Sequence, residues 1–163
     1  MKIEMKVTKL NILLTAVSIG LIASIAFILI QPLFGMVTLT SRHASAYLNN
    51  SAYSETSALI VSWLIHVGVS IFYALLSTII FNINHSILVS FGQVIVLGWL
   101  TTLAATPANE FVVKFITTEQ FPALSSLSAL NTEVGPKLWL HILFFAFVLA
   151  GVWLTRIKAF SKR

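Results

Sequence analysis

The chain has 163 residues, 58% of them hydrophobic and only 9% charged, with a mean hydropathy of +0.95. A soluble domain of this length cannot cover such a composition with polar groups, so its main solvent is lipid. The net charge of +5 does not point to nucleic acid, because the basic residues gather at the two ends of the chain, and the lack of cysteine excludes disulfides, thiolate metal sites, thiol nucleophiles and palmitoylation.

Four uncharged apolar runs, approximately 10–34, 58–81, 87–105 and 138–154, are each long enough to cross roughly 30 Å of hydrocarbon at about 1.5 Å per residue. The third is interrupted by Gly92, Gln93, Gly98, Thr101 and Thr102. Lys2, Lys6 and Lys9 precede the first run, and Arg156, Lys158, Lys162 and Arg163 follow the last. The positive-inside rule then places both termini in the cytoplasm, in agreement with an even number of spans. The basic ends read as retention signals and contacts with anionic lipid. The first run exceeds the apolar region of a secretory signal, and the Ala44-Ser45-Ala46 triplet lies well beyond its end, so a retained span is expected.

In chain order, the first helix is expected to close at Gln31-Pro32, since proline disfavours helical geometry in the residue before it. Residues 35–57, rich in Ser, Asn and Thr, read as an external loop with Tyr47 and Tyr53 at the interface and with His43 too far from His66 and His141 to join them. The connection 82–86, which carries His85, is so short that spans two and three are expected to be antiparallel neighbours. Thr106 and Pro107 read as the N-cap and first position of a short interfacial helix, with Glu110 and Lys114 as an i,i+4 pair and Phe111, Val112 and Phe115 on its apolar side. Gly135-Pro136 restarts the chain as the fourth span. The expected fold class is all-α: one transmembrane domain over 1–163, a four-helix bundle with that interfacial helix between spans three and four.

Within the second span Ser62, His66, Ser70, Tyr73 and Ser77 recur at steps of three and four, which keeps them on one side of a helix, with Leu64, Ile71, Phe72 and Leu75 opposite as lipid-facing residues. The first span carries Asn11, Thr15 and Ser18 on one side and Ala16, Gly20, Ala23 and Ser24 on another. The third approximates the second with Ser86, Ser90, Gln93 and Thr101. Membrane helices bury such small and hydrogen-bonding residues against one another, because apolar faces gain little by leaving lipid.

His66 and His141 fall on spans of the same direction, about 5 Å and 8 Å from the span centres toward the outer side at the helical rise. Four readings stay open for them: hydrogen bonds to neighbouring helices, axial ligation of a b-type haem, an incomplete metal site, and handling of protons or substrate. The candidate intramembrane site is therefore Ser62, His66, Ser70, Tyr73, Ser77, Gln93, Thr101 and His141. A second candidate lies at the outer mouth of span three, where Asn109 and Glu110 suit a cation or polar ligand, or cap a helix end. Arg42 reads as exposed loop charge. No glycine-rich nucleotide loop, HExxH, nucleophile elbow or carboxylate pair is present, so no residue is named as catalytic.

The pieces "WLIHVGVSIFYALL", "GWLTTLAATPAN" and "LWLHILFFAFVLAGVWL" together resemble the YagU-like group of small bacterial inner-membrane proteins. That resemblance implies a four-helix inner-membrane protein with no established chemistry. The chain departs from it in having no charge within the spans and a different first loop. The functional expectation is an accessory or interaction protein of the inner membrane. The alternatives are a small transporter or proton-handling protein using the His66, Tyr73 and His141 face, and an electron carrier holding haem b through His66 and His141. Expected partners are the bilayer and a membrane protein or further copies of the chain, with no nucleic acid; no cofactor is expected outside the haem reading.

Overall fold

The computed structural model describes residues 9–50 and 53–161. Lys2, Lys6, Lys162 and Arg163 lie outside the described residues, and so do the side chains of residues 9–11, 50 and 156–161, so the basic ends that oriented the spans are not placed. Every regular element among the described residues is helical: α1 (Lys9–Ile30), a 3₁₀ turn (Gln31–Phe34), α2 (Leu39–Asn50), α3 (Glu55–Ile83), α4 (Ile87–Thr118), a 3₁₀ turn (Leu124–Ser126) and α5 (Pro136–Ser161). Four segments are long and apolar enough to cross a membrane: Ile12–Phe34, Glu55–Ile83, Ile87–Thr118 and Pro136–Thr155.

The small-residue side of α1 is its packed side. Ala16, Gly20, Ala23 and Ser24 are buried together with Phe27 and Gln31, whereas Ser18 of the polar side is exposed. Gly20 explains the choice. A Cβ placed there would stand 2.6 Å from the Cα of Ile71, so α1 and α3 touch backbone to backbone. Such an approach gains dispersion contacts that a larger side chain would prevent. Ile71 consequently faces α1, and Leu75 packs against the core; of the four residues expected in lipid, Leu64 and Phe72 are the exposed ones. Gly98 on α4 meets Ile142 on α5 in the same way, its hypothetical Cβ lying 3.1 Å from the Ile142 Cα.

The segment expected to be an external loop folds as α2. Its buried residues Thr40, His43, Ala44 and Tyr47 follow the i, i+3, i+4, i+7 spacing of an amphipathic helix, a signal obscured by the polar composition around it. Gln31, itself buried, accepts the Leu39 N–H through Oε1 at 2.7 Å and ties the end of α1 to the start of α2. Ser62 on α3 donates to the Thr40 carbonyl at 2.7 Å, and Ala44, Tyr47, Ala58 and Val113 form a small apolar cluster joining α2 to α3 and α4. Tyr47 is wholly buried rather than interfacial, and its phenol is pushed up to about 12 by burial and by Tyr53.

The expected interfacial helix does not form as a separate element, because α4 continues through Pro107 to Thr118. Proline removes the N–H that would bond the carbonyl four residues earlier. That carbonyl, on Leu103, instead accepts the Asn131 N–H at 3.0 Å from the returning loop, which compensates the lost bond. Glu110 and Lys114 also turn to this loop rather than to each other. Glu110 accepts from the Ser128 N–H at 2.8 Å and from the Ser128 hydroxyl, and Lys114 donates to the Ser126 carbonyl.

The short connection between α3 and α4 does not make them packed neighbours. α1 packs on α3 and α5, α4 packs on α5, and α2 lies over both α3 and α4, while α3 and α4 scarcely touch along their lengths. Their divergence opens a space on one side of the molecule, with α2 across one end.

Candidate functional site

A cavity of about 170 Å³ occupies that space. The side chains of α3 that reach it are Ile65, His66, Val69, Ser70 and Tyr73, and α4 contributes Thr101, Ala104, Ala105, Ala108 and Asn109. α1 supplies Phe27 and the 3₁₀ turn after it Gln31, and α5 supplies Lys137, Leu140, His141 and Phe144. From α2 come Leu39 and Arg42. Six of the residues singled out from the sequence, His66, Ser70, Tyr73, Thr101, Asn109 and His141, therefore meet at one cavity. Ser62, Ser77 and Gln93 do not line it. Ser62 is used by the Thr40 carbonyl, and among the described residues the buried amide of Gln93 has no hydrogen-bond partner. Glu110 faces a neighbouring hollow of about 260 Å³ shared with Arg42, His43, Asn109 and Lys114.

The hydrogen bonds fix how the two cavity imidazoles are protonated when neutral. His66 Nε2 lies 3.2 Å from the Ser24 carbonyl, which only accepts, so Nε2 carries the proton and Nδ1 keeps its lone pair. His141 Nδ1 lies 2.9 Å from Thr102 Oγ1, whose single proton goes to the Gly98 carbonyl at 2.7 Å. Thr102 must then accept, His141 Nδ1 must donate, and Nε2 is left as the acceptor. Each imidazole thus uses its donor to hold a neighbouring helix and retains one acceptor. Phe27 stands between these roles, its ring 5.5 Å from that of His66 and 5.8 Å from that of His141, nearly parallel to the latter.

Arg42 and Lys137 bring positive charge to the same cavity, and among the described residues no aspartate or glutamate lines it. Arg42 is exposed, and partial desolvation at the cavity lowers its guanidinium pKa, though arginine stays charged at any physiological pH. His43, which the loop reading placed too far away to matter, is buried in α2 within electrostatic reach of both Arg42 and His66. Arg42, Lys137, Phe27, Gln31 and Thr102 are cavity or supporting residues that the sequence reading missed. Arg42 lies off the buried stripe of α2, so periodicity gave no sign of its place at the cavity, whereas Lys137 precedes His141 by one turn of α5. Among the described residues, no group of three or more metal-ligating side chains forms.

No protein family, curated protein or solved structure matches the chain.

Proposed function

We propose that the chain is a multi-pass protein of the bacterial inner membrane, with both termini in the cytoplasm, that binds a ligand within the membrane in the manner of a small carrier. One observation carries this reading. The middle of the polar face of α3, from His66 to Tyr73, borders a cavity that α4 does not close, and His141 meets it there. A purely accessory protein has no use for that space, whereas ligand sites characteristically combine apolar walls with a few convergent polar groups. Support for the membrane placement comes from the four apolar helices, and for the orientation from the lysines and arginines at the chain's ends. The YagU-like resemblance, which no family match supports, adds nothing to this reading.

The electron-carrier alternative fits the site less well. A haem held by both histidines needs a nitrogen of each imidazole directed at one iron, with the macrocycle lying between the rings. Phe27 touches both rings, and His66 Nε2 is already committed to the Ser24 carbonyl.

The absence of cysteine makes the ligand-binding reading directly testable. Thr101→Cys and Ala105→Cys place single thiols on the cavity, while Ser77→Cys and Ser90→Cys place them at buried positions that do not line it. In protein stripped of lipid in mild detergent and treated with a small uncharged thiol reagent, the first pair is expected to react and the second to remain protected. Protection of all four thiols would show that the cavity is closed and would refute the reading.

A further inference from the structure

We propose that the cavity takes the phosphate of an anionic phospholipid, admitted sideways from the bilayer between α3 and α4 and held by Arg42 and Lys137. The inference deepens the ligand-binding reading above and rests on it.

The two cations arrive from different elements, Arg42 from α2 and Lys137 from α5, and both line the cavity. Neither side chain has a hydrogen bond or ion pair among the described residues, and both act electrostatically on His141. Each occupies the first turn of its helix, where the unpaired N–H groups already carry partial positive charge and a cation is disfavoured. Two uncompensated cations at such positions create a positive field that an anion would neutralise. Glu110, in the adjoining hollow, does not serve, because its carboxylate is occupied by the Ser128 N–H and hydroxyl.

The walls distinguish a lipid from a free anion. Away from Arg42 and Lys137 the cavity is bordered by Ile65 and Val69 on one side and Ala104 and Ala108 on the other, with Val69, Ala104 and Ala108 exposed where the helices diverge. A soluble anion gains nothing from such surfaces. A hydrocarbon chain covers them with its head still at the cations, and its affinity combines charge with apolar contact.

The test uses the full-length protein in nanodiscs, transferred to mild detergent for native mass spectrometry, with phosphatidylglycerol and phosphatidylcholine as the lipid probes. One phosphatidylglycerol per chain is expected to be retained, at about tenfold or greater preference over phosphatidylcholine. Arg42→Gln with Lys137→Gln is expected to remove about tenfold or more of that retention, since each basic group near a membrane surface is worth about 1 kcal/mol. Lys158→Gln with Lys162→Gln, at the far end of the sequence, controls for lipid bound by the basic tail and is expected to leave the retained molecule in place. Arg42→Lys, which keeps the charge, is expected to keep the preference, and it provides the comparison should the double variant fail to fold. Equal retention of the two lipids, or equal loss in the cavity and tail variants, overturns the proposal. Competition by millimolar inorganic phosphate would assign the clamp to a free anion instead, and a lipid-free dimer would assign the gap to a second copy; either result overturns it. Reactive Thr101→Cys with no lipid preference sinks the clamp alone, whereas an unreactive thiol sinks the ligand-binding reading beneath it.

Discussion

Burial, with Arg42 and His66 nearby, pulls the His43 imidazole down to about 4 from its ordinary value of 6.5. His43 is 6% exposed, and neither ring nitrogen has a hydrogen-bond partner among the described residues. A base whose pKa is lower in the folded state binds fewer protons there than in the unfolded chain between these two values. Stability is therefore full above about pH 6.5 and falls as the pH drops toward 4. By pH 4.5 the loss is about 2–3 kcal/mol, at 1.36 kcal/mol per pKa unit. His43→Leu is expected to abolish that dependence and to be at least as stable as the parent at pH 7, because it also removes an unsatisfied buried polar group. Thermal unfolding in detergent at pH 7.5 and 4.5 measures both effects, and parallel acid sensitivity in parent and variant would refute the assignment. The contrast with His66 shows what was legible at this scale. His66, Ser70 and Tyr73 could be grouped from spacing alone, because an apolar background makes each polar residue stand out. His43 sits among serines, threonines and asparagines, where burial leaves no compositional trace.

Among the helices, contact is set by glycines at two crossings, so the same substitution should have opposite consequences at different positions. Gly20→Ala pushes a methyl group into the backbone of Ile71, which can yield only if α1 and α3 separate. A cost of about 1–3 kcal/mol is expected, the usual range for overpacking. At Gly92 a Cβ meets nothing within 4 Å, and alanine there is expected to be neutral or to stabilise by up to about 1 kcal/mol through helix propensity. Thermal midpoints of the two variants in one detergent decide the matter, and equal effects would mean that the α1–α3 crossing is not close-packed. Helix existence was readable from the length of the apolar runs, and the end of α1 from Gln31-Pro32. The continuation of α4 was not readable. It depends on Asn131, 28 residues beyond Leu103, to bond the carbonyl that Pro107 leaves free. A long-range partner can cancel a local helix-breaking signal, and nothing near Pro107 announces one. The buried face of α2 was present in the spacing of Thr40, His43, Ala44 and Tyr47, but a segment dominated by Ser, Thr and Asn gave little reason to seek a helix.

At the scale of the whole molecule, the space between α3 and α4 reverses the inference that a short connection makes packed neighbours. Asn84 to Ser86 joins the helices at one end only; along their lengths, packing is decided by which faces have better partners elsewhere. α3 uses Gly20 of α1, and α4 uses Ile142 of α5 against Gly98, so each helix is drawn toward a different neighbour. The faces left over are Ile65, Val69 and Tyr73 opposite Ala104 and Ala108. Two alanines where leucines would fill the gap keep it open. Ala104→Leu with Ala108→Leu should therefore occupy the space without straining the fold, because both alanines are exposed and line the cavity. In a Thr101→Cys background this pair is expected to slow thiol labelling about tenfold or more while leaving the thermal midpoint unchanged or raised, since added apolar contact is favourable where no packed neighbour is displaced. Labelling at the original rate would mean that the reagent reaches Thr101 by a route other than the α3–α4 gap. A lowered midpoint would mean that the two helices are closer in the membrane than their sparse contacts indicate. Slowed labelling with intact stability would identify the sideways opening as the path into the site, past the stretch of α3 from His66 to Tyr73 that α4 leaves uncovered.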